Sequence, residues 1–311
     1  MEFVHKPVLL NECIQALCIK PDGIYLDGTM GGGGHSYEIV KRLTAGGKLV
    51  AVDKDGDAHE AAKKRLRSFS DRIIFVRDDF KNACAVLDEL GIDHLDGVLL
   101  DLGVSSYQLD NAERGFSYMQ DAPLDMRMDR GQKTSAFEVV NGYSVNELAA
   151  IFRDYGEEKL ARRIAEKIAE ARQKAPVATT GELAKIVEQA YPAATRWKFG
   201  HPAKRVFQAV RIEVNGELAD LEEAVTALAR RLKPQGRMAV ITFHSLEDRA
   251  VKNAFRQLSL SCTCPPDFPV CVCGKVQEVK LINAKPITAD ADELRDNLRA
   301  ESAKLRVIER M

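Results

Sequence analysis

The sequence predicts an α/β fold: a doubly wound, mostly parallel sheet, interrupted by an all-helical insertion and finished by an antiparallel edge. Three observations predict it. A glycine-rich turn, Asp27 to Ser36, stands between a short apolar run and a segment of helical spacing. That is how an open parallel sheet presents backbone N–H groups at its carboxyl edge. Apolar runs then alternate with helical segments as far as Gly103, the pattern of βαβ units. From Tyr107 to about Asn215 the alternation stops, and strand signals resume only near Arg237.

Residues 1–20 open with His5-Lys6-Pro7-Val8-Leu9-Leu10 and continue as a short amphipathic helix with Cys13, Ile14 and Leu17 on one side. Ile24-Tyr25-Leu26 is the first strand, and Tyr37 to Leu43 the helix after the glycine loop. Gly31 to Gly34 allow positive φ and let a ligand touch backbone without meeting a Cβ. The second strand, Lys48 to Val52, ends in Asp53, placed to accept both hydroxyls of an adenosine ribose. A glycine turn beside an acidic strand end also occurs without a ligand, but four glycines in a row with a placed acid favour a nucleoside site. Asp57 to Leu66 is a polar helix, and Arg72 to Phe80 a third strand ending in acids and an aromatic. Phe80 can cover an adenine face or simply pack in the core. Asn82 to Leu90 is a helix stopped by Gly91, and Asp96 to Gly103 a fourth strand carrying Asp101 at its end.

The insertion begins with a loop dense in Gly, Pro, Asp and Met, from Ala112 to Arg130. Ser144-x-x-Glu147 and Thr179-x-x-Glu182 are capping boxes opening helices, and Leu160, Ile164 and Ile168 recur at helical spacing. Beyond it, Val214 to Leu232 predicts one long helix ended by Lys233-Pro234-Gln235-Gly236. Arg237 to Phe243 is a fifth strand running into His244-Ser245, with a helix from about Leu246. Val276 to Ile282 and Lys304 to Ile308 form the antiparallel edge pair. The expected division is 1–106 and 216–311 as the sheet domain, with 107–215 as the helical insertion domain.

The chain has 311 residues and a formal net charge of −1, so it is no polycation, and any nucleic-acid contact must come from a local patch. His5, Lys6, Asn11 and Glu12 interrupt the N-terminus, and no run is long enough to span a membrane. With 7 cysteines, an odd number, the composition fits a reducing compartment and predicts a cytoplasmic protein with no membrane partner.

The dinucleotide fingerprint can be laid on Gly31 and Gly33, but its third position is Ser36, which weakens a nicotinamide or flavin assignment. Asp27-Gly28-Thr29 is closer to the S-adenosylmethionine loop of class I methyltransferases, where an acid near the first strand can meet the ligand's ammonium. The remaining motifs extend this likeness. They are Asp101 to Ser106, Glu113 to Ser117, Pro123 to Asp129, Phe207 to Ile212 and Phe243 to Arg249, together with the N-terminal His5 to Leu10. Over nearly its whole length the chain resembles the bacterial 16S ribosomal RNA cytosine-N4 methyltransferase family. The resemblance implies a class I methyltransferase sheet and S-adenosyl-L-methionine as cofactor. It implies cofactor contacts at Gly33, Gly34, His35, Asp53, Phe80, Asp101 and Gln108. It also implies 16S ribosomal RNA in the small ribosomal subunit as substrate; no obligate protein partner is evident.

Asp101 is the expected catalytic residue, an acceptor beside the target amine that also contacts the cofactor; a strand-ending Asp also often caps the next turn. His244 faces the same edge, though a buried structural histidine fits it better. From Tyr191 to Arg211 the chain carries Arg196, Lys198, Lys204, Arg205 and Arg211 without an acid, interleaved with Trp197 and Phe199. That mixture suits phosphates and unstacked bases, and equally a solvated basic face with Trp197 in the core. Two other functions are compatible with the sheet: a nucleotide-dependent oxidoreductase, against which Ser36 argues, and a non-catalytic RNA-binding assembly factor.

Four cysteines crowd between 262 and 273, outside the family motifs. If their arms pair antiparallel, Cys264 stands opposite Cys271 and Cys262 opposite Cys273, with Pro265 to Val270 as the turn. Four sulfurs on one face of a hairpin would begin a tetrahedral zinc site; two cross-strand disulfides or four small buried thiols are the rivals.

Overall fold

The computed structural model describes residues 7–44, 46–194, 196–198, 200–265 and 270–311. His5, Lys6, Phe199 and residues 266–269, where a turn is expected, lie outside them. The chain forms two compact units, 1–103 with 220–311 and 104–219.

The first unit is built on seven strands: β1 (Ile24–Asp27), β2 (Lys48–Val52), β3 (Ile73–Val76), β4 (Leu95–Asp101), β5 (Leu232–Thr242), β6 (Val279–Leu281) and β7 (Lys304–Arg310). Their order is β3-β2-β1-β4-β5-β7-β6. β1 to β5 are parallel, and β7 runs antiparallel to both β5 and β6. This is the class I methyltransferase sheet that the resemblance implies. The central strands are continuous apolar runs because both faces are covered: Leu95 to Leu100 of β4 are all buried, and only Asp101 at its carboxyl end opens. The chain leaves β1 towards β2 and β3, then returns to place β4 on the other side of β1. That reversal is a topological switch point, and open sheets of this kind bind ligands beyond the carboxyl ends of the strands on either side of it.

Helices α1 (Leu10–Leu17), α2 (Gly34–Val40), α3 (Gly56–Arg65) and α4 (Ala83–Glu89) accompany the first four strands. The second unit consists of α5 (Ser106–Asp110), α6 (Ala136–Gly142), α7 (Val145–Asp154), α8 (Ala161–Arg172), α9 (Thr180–Ala190) and α10 (Ala203–Asn215). α11 (Leu221–Arg230), α12 (Ser245–Ser259) and α13 (Ala291–Asp296) return to the sheet. No helix of the described residues is long and apolar enough to cross a membrane.

The expected long helix from Val214 to Leu232 is two helices. Gly216, at φ 59°, closes α10, and Asp220, at φ 54°, precedes α11. The apolar period carries across the break, so only the backbone reversal reveals it. The strand expected at Arg237 instead begins at Leu232 and runs through the Lys-Pro-Gln-Gly stretch. Its register against β4 shifts between Leu95 and Gly97, and Gln235 stands at φ 65°; Pro234 cannot donate to a ladder, so a bulge absorbs it.

In the helical unit both capping boxes form: Ser144 N–H donates to Glu147 at 2.7 Å and Thr179 N–H to Glu182 at 3.2 Å. Leu148, Phe152, Ile164, Ile168, Leu183 and Val210 are among the apolar side chains buried between the helices. The loop from Ala112 to Arg130 is pinned by polar side chains. Arg114, fully buried, donates to the carbonyls of Arg127 and Met128. Asn215 accepts from Met128 N–H and donates to Met126 and Arg211 carbonyls, each at 2.8 Å. The motifs Glu113 to Ser117 and Pro123 to Asp129 are thus one folded unit closed by the end of α10.

Candidate active site

The glycine loop leaves β1 at Asp27 and enters α2 at Gly34. Its glycines do different jobs. Gly33, at φ 76°, holds the turn, and its N–H is taken by Met30 carbonyl at 2.9 Å. A Cβ on Gly34 would stand 2.4 Å from Pro7 Cγ, so the N-terminal Pro7-Val8 packs directly on the loop. A Cβ on Gly32 would meet nothing within 4 Å; this is where a ligand can approach the backbone.

Asp53 closes the loop from below. Its Oδ2 accepts Gly31 N–H at 2.7 Å and its Oδ1 accepts Asp55 N–H at 2.9 Å. A carboxylate offers about four lone-pair positions, so one acceptor position remains on each oxygen, enough for a pair of vicinal hydroxyls. Burial raises the Asp53 pKa, against the pull of the Asp55 and Gly31 N–H groups.

At the end of β1, Asp27 is buried, accepting the Ser36 hydroxyl at 2.6 Å and Thr29 N–H at 3.2 Å. Burial pushes its carboxyl up to about 6 despite those two donors. Thr29 in turn accepts Asp101 N–H at 2.5 Å, which ties the loop to the end of β4. The Asp101 side chain is 25% exposed, yet its Oδ1 is buried with no hydrogen-bond partner among the described residues. Burial first, then the charges of Asp27 and Glu247, push this carboxyl up to about 8. His35, on the first turn of α2, places Nδ1 3.6 Å from Asp101 Oδ2 and Nε2 3.1 Å from Val8 carbonyl.

Three carboxyl groups therefore end β1, β2 and β4, all with raised pKa values. Burying like-charged groups at one sheet edge disfavours their ionised forms, and a cation arriving there reverses the penalty.

The family model for the MraW methylase family matches residues 2–311. The chain belongs to this family. Ribosomal RNA small subunit methyltransferase H of Lachnospira eligens is 56% identical over 311 residues, covering 100% of this chain and 99% of that protein. The protein of the same name from Clostridium botulinum strain Loch Maree is 54% identical over 307 residues, covering 99% of each chain.

The other residues singled out in this methylase sequence fall as follows. Phe80 begins the 3-10 turn after β3, half-buried, with its Cβ 3.0 Å from where a Gly28 side chain would start. Gln108 belongs to the helical unit, buried in α5, where its Oε1 accepts Ser105 N–H at 2.9 Å in a capping box. His244 caps α12: its Nδ1 accepts Glu247 N–H at 3.4 Å, the structural role that suits it. Glu247 was not among the expected residues. It is 2% exposed, accepts Phe243 N–H at 2.9 Å, and contributes to the raised pKa of Asp101. The box spacing His244-x-x-Glu247 was its available signal.

In the segment from Tyr191 to Arg211, Trp197 is 57% exposed, so it is not a core residue. Its ring meets His201 edge-on at 5.1 Å, and His201 stacks on Tyr118 at 4.4 Å. Lys204 and Lys198 are exposed. Arg211 is a paired internal residue, with a bidentate bridge to Glu217 at 2.8 and 2.9 Å.

Proposed function

We propose that the protein is a cytoplasmic S-adenosyl-L-methionine-dependent enzyme that methylates the exocyclic N4 amine of a cytidine in the 16S ribosomal RNA of the small ribosomal subunit. The observation that carries this reading is the trio Asp27, Asp53 and Asp101 at the carboxyl ends of β1, β2 and β4, with raised pKa values, beside a glycine loop open at Gly32. S-adenosylmethionine fits that chemistry: a ribose diol for Asp53, and two cationic groups for a recess of buried acids. The relatives named for small-subunit ribosomal RNA support the substrate.

In this reading Asp53 accepts the ribose hydroxyls and Phe80 covers the adenine. Gly33, Gly34 and His35 form the loop side of the cofactor site, and Asp101 and Gln108 are further contacts. When bound, the cofactor supplies a methyl group made electrophilic by its sulfonium. The cytidine amine is a poor nucleophile because its lone pair is delocalised into the ring, so holding it in line is most of the catalysis. Asp101, once ionised, accepts the amine hydrogens and takes up the positive charge that develops on nitrogen. His35 orients that carboxylate from the loop side. The base is everted from its stack to reach a recess at a sheet edge. The helical unit, 104–219, is the RNA-recognition part, with Lys198 and Lys204 for phosphates and exposed Trp197 for an unstacked base.

The test is transfer of a radiolabelled methyl group to isolated small subunits and to naked RNA, followed by nucleoside analysis. N4-methylcytidine in either substrate supports the reading. Label absent from both, with cofactor bound to the enzyme, would overturn it in favour of an assembly role.

A further inference from the structure

The stretch from Leu260 to Glu278 joins α12 to β6 without a helix or strand among its described residues. The expected β-hairpin is not formed among them. The base of the stretch is closed: Glu278 N–H donates to Leu258 carbonyl at 2.9 Å, and Arg230 grips the Glu278 carboxylate at 2.9 and 3.0 Å. Among the described residues, the apolar side chains of its outer part stand in solvent. Val270, Val272 and Val276 are 69%, 72% and 74% exposed. A long connection of this kind in a compact unit needs another source of order.

That source stands among its cysteines. Cys262 Sγ lies 3.4 Å from Cys271 Sγ and 3.8 Å from Cys273 Sγ. Cys271 Sγ lies 3.6 Å from Cys273 Sγ and 4.0 Å from Cys264 Sγ. All four sulfurs fall within 4.8 Å of one another. Disulfide sulfurs stand about 2.05 Å apart, so these are not bonded pairs. Three of the four residues are exposed, so they are not core thiols either. Four sulfurs each about 2.3 Å from one zinc ion form a tetrahedron with edges of about 3.8 Å, and the separations above straddle that value.

The backbone is arranged to suit thiolates. Thr263 N–H points to Cys273 Sγ at 3.3 Å, Cys264 N–H to Cys262 Sγ at 3.3 Å, and Val272 N–H to Cys264 Sγ at 3.4 Å. Amide donors to sulfur stabilise the negative form that binds metal and orient it. The Cys264 bond back to Cys262 also answers a geometric objection. One residue between paired cysteines is shorter than the usual zinc spacing, but a chain that turns within the pair does not present a flat face.

We propose that Cys262, Cys264, Cys271 and Cys273 bind one zinc ion as a closed tetrathiolate site that staples the 260–278 connection. Four soft ligands with no open position make the site structural, with no part in methyl transfer.

The decisive experiment is metal analysis of the full chain purified with reductant and without chelator. About one zinc per chain is expected, as for a single tetrathiolate site, together with shielding of these four thiols from a thiol reagent until the metal is stripped. Cys264→Ser with Cys271→Ser should lower zinc to a trace and open the connection to protease, leaving S-adenosylmethionine affinity unchanged by calorimetry. If the double variant fails to fold, cobalt exchange into the wild-type chain gives an independent readout: tetrahedral thiolate-cobalt absorption bands support the site. A wild-type chain that takes up neither zinc nor cobalt and shows four reactive thiols overturns it, as do two disulfides in the peptide map or stoichiometric iron in place of zinc.

Discussion

His35 Nδ1 stands 3.6 Å from Asp101 Oδ2, while Nε2 of the same ring stands 3.1 Å from the Val8 carbonyl. A carbonyl only accepts, so Nε2 carries a hydrogen. In the neutral ring Nδ1 therefore turns its lone pair towards Asp101. With Asp101 pushed up to about 8 by burial, the acceptor proposed above favours its protonated form in the cofactor-free protein.

Activity and stability should then respond to pH in opposite senses. kcat/KM for the cofactor, which reports the free enzyme, should rise with pH through about 8, the value to which Asp101 is held. Asp101→Asn should lose that limb and at least about 100-fold in rate. For stability the sign follows from a folded pKa raised from the ordinary 3.8 to about 8. The folded state keeps a proton that the unfolded chain releases, so the contribution is intact below about 4 and lost as pH rises towards 8. Urea unfolding of the cofactor-free protein should find Asp101→Asn stabilised by about 1–2 kcal/mol at pH 8, with much less gain at pH 5; the figure is discounted because 25% of the side chain meets solvent. Equal gains at both pH values would show that Asp101 is ionised throughout.

Asp53 should govern cofactor affinity. Asp53→Ala removes two hydroxyl acceptors and should cost about 3 kcal/mol, roughly 100-fold in Kd by calorimetry. It also strips Gly31 N–H and Asp55 N–H of their shared partner, so Asp53→Asn, whose one amide oxygen keeps one of the two contacts, serves as the milder control. Affinity unchanged in both variants removes Asp53 from the site.

The exposed lysines of the helical unit should set the salt dependence of RNA binding. Lys198→Ala with Lys204→Ala should flatten the slope of log K against log salt by about 0.7 per lost contact. Trp197→Ala should weaken binding without changing the slope, since stacking releases no counterions. Arg211→Ala should instead destabilise the fold, because it leaves Glu217, 7% exposed at its side chain, without its bidentate partner.

Asn215 should matter to stability more than its position at a helix end suggests. Asn215→Ala leaves Met128 N–H and the Met126 and Arg211 carbonyls without this partner. A loss of about 3 kcal/mol is expected in urea unfolding, at about 1 kcal/mol per buried group. A loss below about 1 kcal/mol would mean that the loop carrying Pro123 to Asp129 is held by its other contacts, those of Arg114 and the Leu124 N–H to Ala178 carbonyl bond among them.

Much of this protein follows from short-range sequence. The glycine loop, the acids that end β1, β2 and β4, and the boxes at Ser144 and Thr179 depend on residues a few positions apart, and local backbone chemistry determines them. The sheet and its helical interruption follow from periodicity for the same reason. Tertiary structure decided what depends on residues distant in sequence. The break at Gly216 and Asp220 leaves no trace in an apolar period that runs through it. Arg211 counts as one more cation of the basic stretch until Glu217 is found beside it. Pro7 becomes part of the site only because the chain returns to lie on Gly34. Asp101 acquires its pKa from burial and from Asp27 and Glu247 on other elements, and an electrostatic field is a property of distances in space, which no spacing along the chain records.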